Sequence, residues 1–289
     1  MSAAPLKLAC ADFAFPLLEH ERALDLIAML DVEGVDLAMM GNRSHVRPEE
    51  VRGDLAGWAE RLRERLRGRG LELADFFLIP WTDFERMAPN NPDAAERADA
   101  AALFRDMLWL AAELDAGGLT LLPGIHWADE AWEDSLARSA QELAWRVEEG
   151  RQAGVRVSVE AHVGSVVDTP EKALRLVEHC PGLELTLDYT HFVFQGIPES
   201  EIEPMVRHAR HFHARAAREG RLQTTLRENT IDYGRVVDVM KETGYDGYVG
   251  IEYVWTPGEP PGGPYDLTNT DNVSETILLR DLLRARIAA

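Results

Sequence analysis

Residues 183–192 read LELTLDYTHF, with Leu183, Leu185 and Leu187 on one parity and Thr186 and Asp188 on the other. Alternation of this kind is the mark of a half-polar strand. A carboxylate stands where the apolar run stops, and His191 follows three residues later. Working outward, three further segments end the same way. In VRVSVEAH (155–162), Val157 and Val159 oppose Ser158, Glu160 and His162; in RHFHAR (210–215), Phe212 opposes His211 and His213. In GYVGIEYV (247–254), Val249 and Ile251 oppose Gly250 and Glu252. Side chains of a barrel strand alternate between the helix layer and the interior. The pattern therefore puts Glu160, Asp188, His213 and Glu252 on the inner parity at the ends of four successive strands.

The first half of the chain supplies four more candidate strands, at 7–13, 34–40, 71–78 and 118–124. Stretches with apolar residues at three- and four-residue spacing lie between strands, at 47–69, 93–114, 130–153 and 170–179. TPEKALRLVEHC opens with Thr169 as helix cap and Pro170 at the first helical position. DYGRVVDVMKETG has Asp232 as cap and Gly244 as stop. Eight strand–helix units in 289 residues is about 36 residues per unit, which predicts a single (β/α)₈ TIM barrel over 1–289. An open doubly wound sheet would bring a glycine-rich phosphate loop after its first strand, and ACADFAFPLLEHE (9–21) has no glycine.

Composition narrows the function classes. The net charge of −20 repels nucleic-acid backbones and anionic lipid, so neither nucleic acid nor membrane is expected as a partner. The start of the chain, MSAAPLKLACADFAF, has one lysine and no long apolar stretch. The expectation is a soluble, cytoplasmic protein. Cys10 and Cys180 stand in apolar surroundings without a CxxC pattern, and read as buried free thiols.

Three carboxylates and an imidazole converging in one barrel mouth would repel and resist desolvation unless a cation joined them. Such a donor set suits one divalent ion, Mn²⁺ first, with Mg²⁺, Co²⁺ or Zn²⁺ as alternatives. Solvated strand ends and internal salt bridges would explain any one of these residues, but not four on one parity of successive strands.

The motifs VSVEAHVG, TLDYTHF, HFHARAA and TIDYGRVVDVMKETGYDGYVGIEY resemble the xylose-isomerase-like superfamily of sugar (phosphate) isomerases and epimerases. The resemblance implies that Glu160, Asp188, His213 and Glu252 hold one metal and that His191 touches a substrate oxygen. It also implies a small-molecule sugar substrate, with a homodimer or homotetramer allowed. Ketose 3-epimerases resembling this chain carry a further Glu six residues after the first ligand and an Arg six after the metal histidine. Val166 and Glu219 stand there instead, and Arg215 is two residues past the histidine.

Further candidates for substrate contact follow the strands. His126 and Trp127 lie in LLPGIHW and His45 in GNRSHVRPEE, while His162 shares parity with a ligand. Each could equally be packed, and His162 or His211 could orient a ligand by hydrogen bonding. Arg215, Arg218, Arg221 and Arg227 form a basic group in an acidic protein. It reads as a solvated loop or as an anchor for an anionic substrate. The chemistry expected is proton transfer beside a carbonyl through an ene-diolate, with Glu160 and Glu252 as base and acid. Isomerisation or epimerisation is the first reading. A lyase or dehydratase, acting on an inosose or cleaving a keto-glycoside, is the alternative. Phosphodiester hydrolysis and a non-catalytic binding barrel are the rivals from other classes.

Overall fold

The computed structural model describes residues 6–41, 43–256 and 263–289. Eight parallel strands close on themselves in chain order: β1 Lys7–Ala11, β2 Gly34–Met40, β3 Glu72–Ile79, β4 Leu119–Leu121, β5 Val157–Glu160, β6 Glu184–Asp188, β7 Ala209–Ala214 and β8 Tyr248–Ile251. The (β/α)₈ reading therefore holds. β2, β3 and β7 are as long as their predicted runs, while β1, β4, β5, β6 and β8 are shorter, because ladder pairing there stops before the apolar pattern does.

The helices are α1 His20–Met29, α2 Pro48–Val51, α3 Leu55–Arg67, α4 Ala94–Glu113, α5 Trp132–Ala153, α6 Pro170–His179, α7 Thr190–Val193, α8 Glu199–Ile202, α9 Tyr233–Thr243 and α10 Asn272–Ile287. The predicted helix at 47–69 is two helices. Asp54 interrupts it and caps α3 by accepting from Gly57 N. The caps at α6 and α9 are as expected: Thr169 accepts from Lys172 N and Asp232 from Arg235 N, while Gly244 takes a left-handed φ of 71°. No helix among the described residues is long and apolar enough to cross a membrane. Cys10 and Cys180 are buried and free.

Two register shifts decide what fills the barrel. Leu185 pairs with Ala209 but Thr186 with His211, so Arg210 is an extra residue in β7. Val35 pairs with Leu73 but Asp36 with Asp75, so Ala74 is extra in β3. A bulge re-aims the side chains around it. It turns Arg210 inward beside Asp75, where the guanidinium also donates to Thr120 Oγ1 at 3.0 Å and Ser158 Oγ at 2.9 Å. Thr186 Oγ1 closes the group at 2.6 Å from Thr120 and 2.8 Å from Ser158. A Cβ at Gly118 would stand 2.4 Å from the Arg210 guanidinium, so the floor needs that glycine.

Candidate active site

The inner-parity reading of β5 to β8 is met at the opposite end of the barrel. Glu160 closes β5, Asp188 closes β6, His213 lies near the end of β7, and Glu252 follows β8; all four are buried. His213 Nδ1 sits between Glu160 Oε1 and Glu252 Oε2, 2.8 Å from each. Donor atoms of Glu160, His213 and Glu252 all lie within 4.8 Å of one another, as do those of Glu160, Asp188 and His191.

Arg215 enters the same cluster. Its Nη2 donates to Asp188 Oδ2 at 3.1 Å and its Nη1 to Glu252 Oε1 at 3.4 Å; Nε donates to Thr190 Oγ1 at 3.2 Å. Thr190 N donates to the other Asp188 oxygen at 2.8 Å. The sequence reading offered Arg215 as a substrate contact. It does line the cavity, but its guanidinium is already engaged by two carboxylates of the cluster, Asp188 and Glu252.

Support for His213 comes from below. His211 Nε2 is 3.0 Å from Asp36 Oδ2, and the same oxygen lies 3.9 Å from His213 Nε2. His211 and His213 thus flank one carboxylate, which stands at hydrogen-bond distance from His211 alone. The glycine on β8 makes room for that carboxylate: a Cβ at Gly250 would stand 2.0 Å from Asp36 Oδ2.

The electrostatics follow from crowding. Burial pushes the Glu160 carboxyl up, opposed by His213 and reinforced by Glu252 and Asp188. Burial likewise raises Asp188, against the pull of Arg215. Burial alone would strip the proton from His213, but Glu252 and then Glu160 hold its pKa well above the ordinary value. Burial also acts to raise Glu252, yet His213 and Arg215 outweigh it and hold the carboxyl low. Burial, then the charge of Arg215, drives His191 well below the ordinary range, so its ring is neutral.

These residues fit a divalent cation. Three carboxylates (Glu160, Asp188, Glu252) less one guanidinium (Arg215) leave two negative charges in the cluster. One divalent ion cancels that charge, whereas a proton on His213 cancels half of it. Buried Glu252 Oε2 has no hydrogen-bond partner among the described residues, although it stands within reach of His213 Nδ1. A buried acceptor in that position is costly unless something binds it.

Above the cluster opens a cavity of about 460 Å³. Glu160, His162, His191, Arg215 and Glu252 line it. His162 Nδ1 donates to Val163 O at 2.8 Å, and its Nε2 has no partner among the described residues. Burial pushes its pKa down to about 4.

Other candidates are not brought to the cavity. His126 is exposed, with Nε2 3.1 Å from Glu130 O, and Trp127 donates its indole N–H to Asn90 Oδ1 at 3.2 Å. Neither is among the lining residues. The cause is local: β4 ends at Leu121, Gly124 turns the chain at φ 92°, and Asn90 also takes Ile125 N. His45 lies outside the lining as well; its ring stacks on His20 at 5.3 Å and Nε2 is 3.2 Å from Asp12 O. Arg218 and Arg227 do not line the cavity either.

Comparison with known proteins bears on this arrangement. The family profile described as xylose isomerase-like TIM barrel matches residues 24–271. The structure of D-psicose 3-epimerase with D-tagatose from Clostridium cellulolyticum H10 superposes with a TM-score of 0.75 at 15% identity, covering 98% of this chain and 99% of that one. A 3-keto-D-glucoside 4-epimerase from E. coli gives 0.73 at 13% identity, covering 97% of this chain and 99% of that one. At such identities the likeness speaks for the fold. A stretch of 110 residues, 37% of this chain, is 33% identical to alanine racemase of Chlorobaculum tepidum. That stretch spans 28% of the racemase's length.

Proposed function

The chain belongs to the xylose isomerase-like TIM barrel family, and from that premise we propose that it is a divalent-metal-dependent isomerase or epimerase of a keto-sugar. Glu160, Asp188, His213 and Glu252 would hold the metal. When bound, the ion supplies the positive charge that stabilises the ene-diolate oxygens. Mn²⁺ is the ion we favour, on the carboxylate-rich donor set.

The observation that carries the reading is the convergence of Glu160 and Glu252 on one histidine nitrogen from nonadjacent strands, at the base of an open cavity. Carboxylates entering from β5 and β8 reach opposite faces of a substrate lying between them. One takes a proton from the carbon beside the carbonyl and the other returns one. Neutral His191 is placed to donate to or accept from a substrate oxygen. The unpartnered Nε2 of His162 accepts from a sugar hydroxyl. Arg215 holds Asp188 and Glu252 in place as a positioning residue.

A neutral substrate fits this site better than a phosphorylated one. With a divalent ion bound, the three carboxylates and Arg215 sum to no net charge, and Arg215 has no spare charge for an anion. Elimination from the same intermediate is the second reading, since a leaving group on the next carbon would turn the epimerase into a lyase.

The test is solvent exchange. Mn²⁺-loaded protein in D₂O, given a panel of ketoses, keto-glycosides and inososes, should place deuterium on the carbon beside the carbonyl of its substrate. An epimer or isomer marks the first reading and loss of water or aglycone the second. Product formed across the panel with no label and no effect of Glu160→Gln or Glu252→Gln would reject proton transfer. Tight binding of a sugar phosphate that Arg215→Ala or Arg218→Ala abolishes, with neutral sugars ignored, would reject the neutral substrate.

A further inference from the structure

Strand β8 ends at Ile251, where its pairing with Cys10 of β1 and Ala214 of β7 stops. Glu160 and Asp188 lie inside the ladder, paired with Thr186 and His213. Glu252 lies one residue outside it. Its backbone makes one more bond to β7, from Glu252 N to Ala214 O at 3.0 Å. Past that point side chains take over from the ladder. Asn272 Nδ2 donates to Tyr253 O at 3.0 Å, and Tyr253 Oη accepts from Ala216 N at 3.2 Å. The fullest replacement is at Val254, whose N–H donates to Gln223 Oε1 at 2.8 Å and whose carbonyl accepts from Gln223 Nε2 at 2.9 Å. A residue in an antiparallel pair exchanges both bonds with its neighbour in the same way. Gln223, fully buried, is thus a strand neighbour made from one side chain.

The same residue is anchored from behind. Its Nε2 also donates to Thr270 Oγ1 at 2.9 Å, and its backbone oxygen accepts from Asn269 Nδ2 at 3.0 Å. Gln223 therefore ties together the loop after β7, the end of β8 and the segment before α10. The Glu252 carboxylate has no comparable support of its own. Asp188 accepts from Thr190 N at 2.8 Å, a neutral donor. Among the described residues the Glu252 carboxylate meets only His213 at 2.8 Å and Arg215 at 3.4 Å. A cation entering the cluster competes with both contacts. What stays in place is the backbone, and Gln223 holds it two residues from Glu252.

We infer that Gln223 is a positioning residue for Glu252: its amide extends β8 past the ladder and so sets where that carboxylate stands in the cluster. The inference rests on the metal and proton-transfer reading for what Glu252 does there. The bonds that hold the strand are independent of that reading.

Two variants test it. Gln223→Met keeps the length of the side chain and removes both bonds to Val254. Gln223→Glu keeps the acceptor and puts an oxygen in place of the donor, and it serves if the first variant does not fold. In the metal-free protein, the Val254 amide should exchange its hydrogen at least about tenfold faster in either variant, a local opening that leaves β5 and β6 as in wild type. Titration should show Mn²⁺ affinity lowered about 10–100-fold, the usual cost of losing a group that orients a metal ligand. A merely structural glutamine would lower the melting temperature and leave Mn²⁺ affinity unchanged at a temperature where the variants are folded; that result overturns the inference. Exchange at Val254 as slow as in wild type overturns it too. A wild type that binds no Mn²⁺ would remove the metal reading by itself. Exchange would then decide alone: faster exchange confined to the end of β8 upholds the role of Gln223, and unchanged exchange ends it.

Discussion

Two buried arginines five residues apart, Arg210 and Arg215, face opposite fates within one barrel. At the floor, Arg210 meets Asp75, one charge against one, and the hydroxyls of Thr120 and Ser158 take its remaining bonds. At the mouth, Arg215 meets Asp188 and Glu252, with Glu160 close by, and the acidic groups outnumber it three to one. The floor is neutral by itself; the mouth becomes neutral when two more positive charges arrive. Burial and hydrogen bonding are alike in the two places, so they do not tell structure from function. Charge balance does.

The mouth offers the largest effect with which to break the comparison. Glu252→Gln should lower activity roughly 10²–10⁴-fold, the usual cost of a lost acid/base group. Asp188→Asn should lower metal content in the purified protein, measured by elemental analysis after dialysis. Unchanged metal in Asp188→Asn would mean that the excess of carboxylate is not a cation site.

At the floor the corresponding loss is of stability. Arg210→Met leaves Asp75 buried without its partner, and should cost roughly 3–5 kcal/mol in denaturant unfolding. Pairing it with Asp75→Asn should restore part of that loss, because the double variant buries no charge. Metal content should stay as in the wild type. Arg210→Met that unfolds normally but loses metal would erase the distinction between floor and mouth.

Much of the mouth was legible because a strand's parity is legible. Glu160, Asp188, His213 and Glu252 follow Val, Leu and Phe partners whose alternation leaves no choice of side. The floor was not. Arg210 has the parity of Phe212, and only the bulge in β7 turns it inward to meet Asp75, which shares its parity with the cavity-lining Phe77 and Ile79. A bulge leaves no mark in a single sequence except a residue whose chemistry conflicts with its parity, and a buried arginine between Ala209 and His211 was such a conflict. Asp36 alternates with Val35 and Leu37 in the same way, but its value shows only beside His211 and Gly250. His126 and Trp127 were misplaced for another reason. Residues past a strand end obey turn geometry rather than alternation, and Asn90, distant in sequence, captures that loop.

Arg215 sharpens the comparison from the mouth's side. Arg215→Met removes the guanidinium paired directly with Asp188 and Glu252, so the metal-free protein should melt lower than wild type. Addition of Mn²⁺ should then raise the melting temperature by more than it does in wild type, because the ion also offsets the charge that Arg215 supplied. Activity should fall roughly 10–100-fold, as for other groups that orient metal ligands. A smaller metal-induced rise than in wild type would show that Arg215 matters for geometry without balancing charge.

The smallest effect expected is at Thr186, which belongs to the floor but stands on β6 two residues before Asp188. Its hydroxyl lies 2.6 Å from Thr120 Oγ1 and 2.8 Å from Ser158 Oγ. Thr186→Val keeps the side chain's shape and removes that link, leaving two neighbours that still have Arg210 as a donor. The loss should be about 1 kcal/mol, the net worth of an ordinary buried hydrogen bond. Asp188 takes its own bonds from Thr190 N and Arg215, neither of which touches Thr186. Metal affinity and kcat/KM should therefore match wild type within experimental error. Chemical denaturation measures the first quantity and metal titration the second. A drop in metal affinity alongside the small loss of stability would show that the floor sets the position of β6, and that the two arginines serve one site.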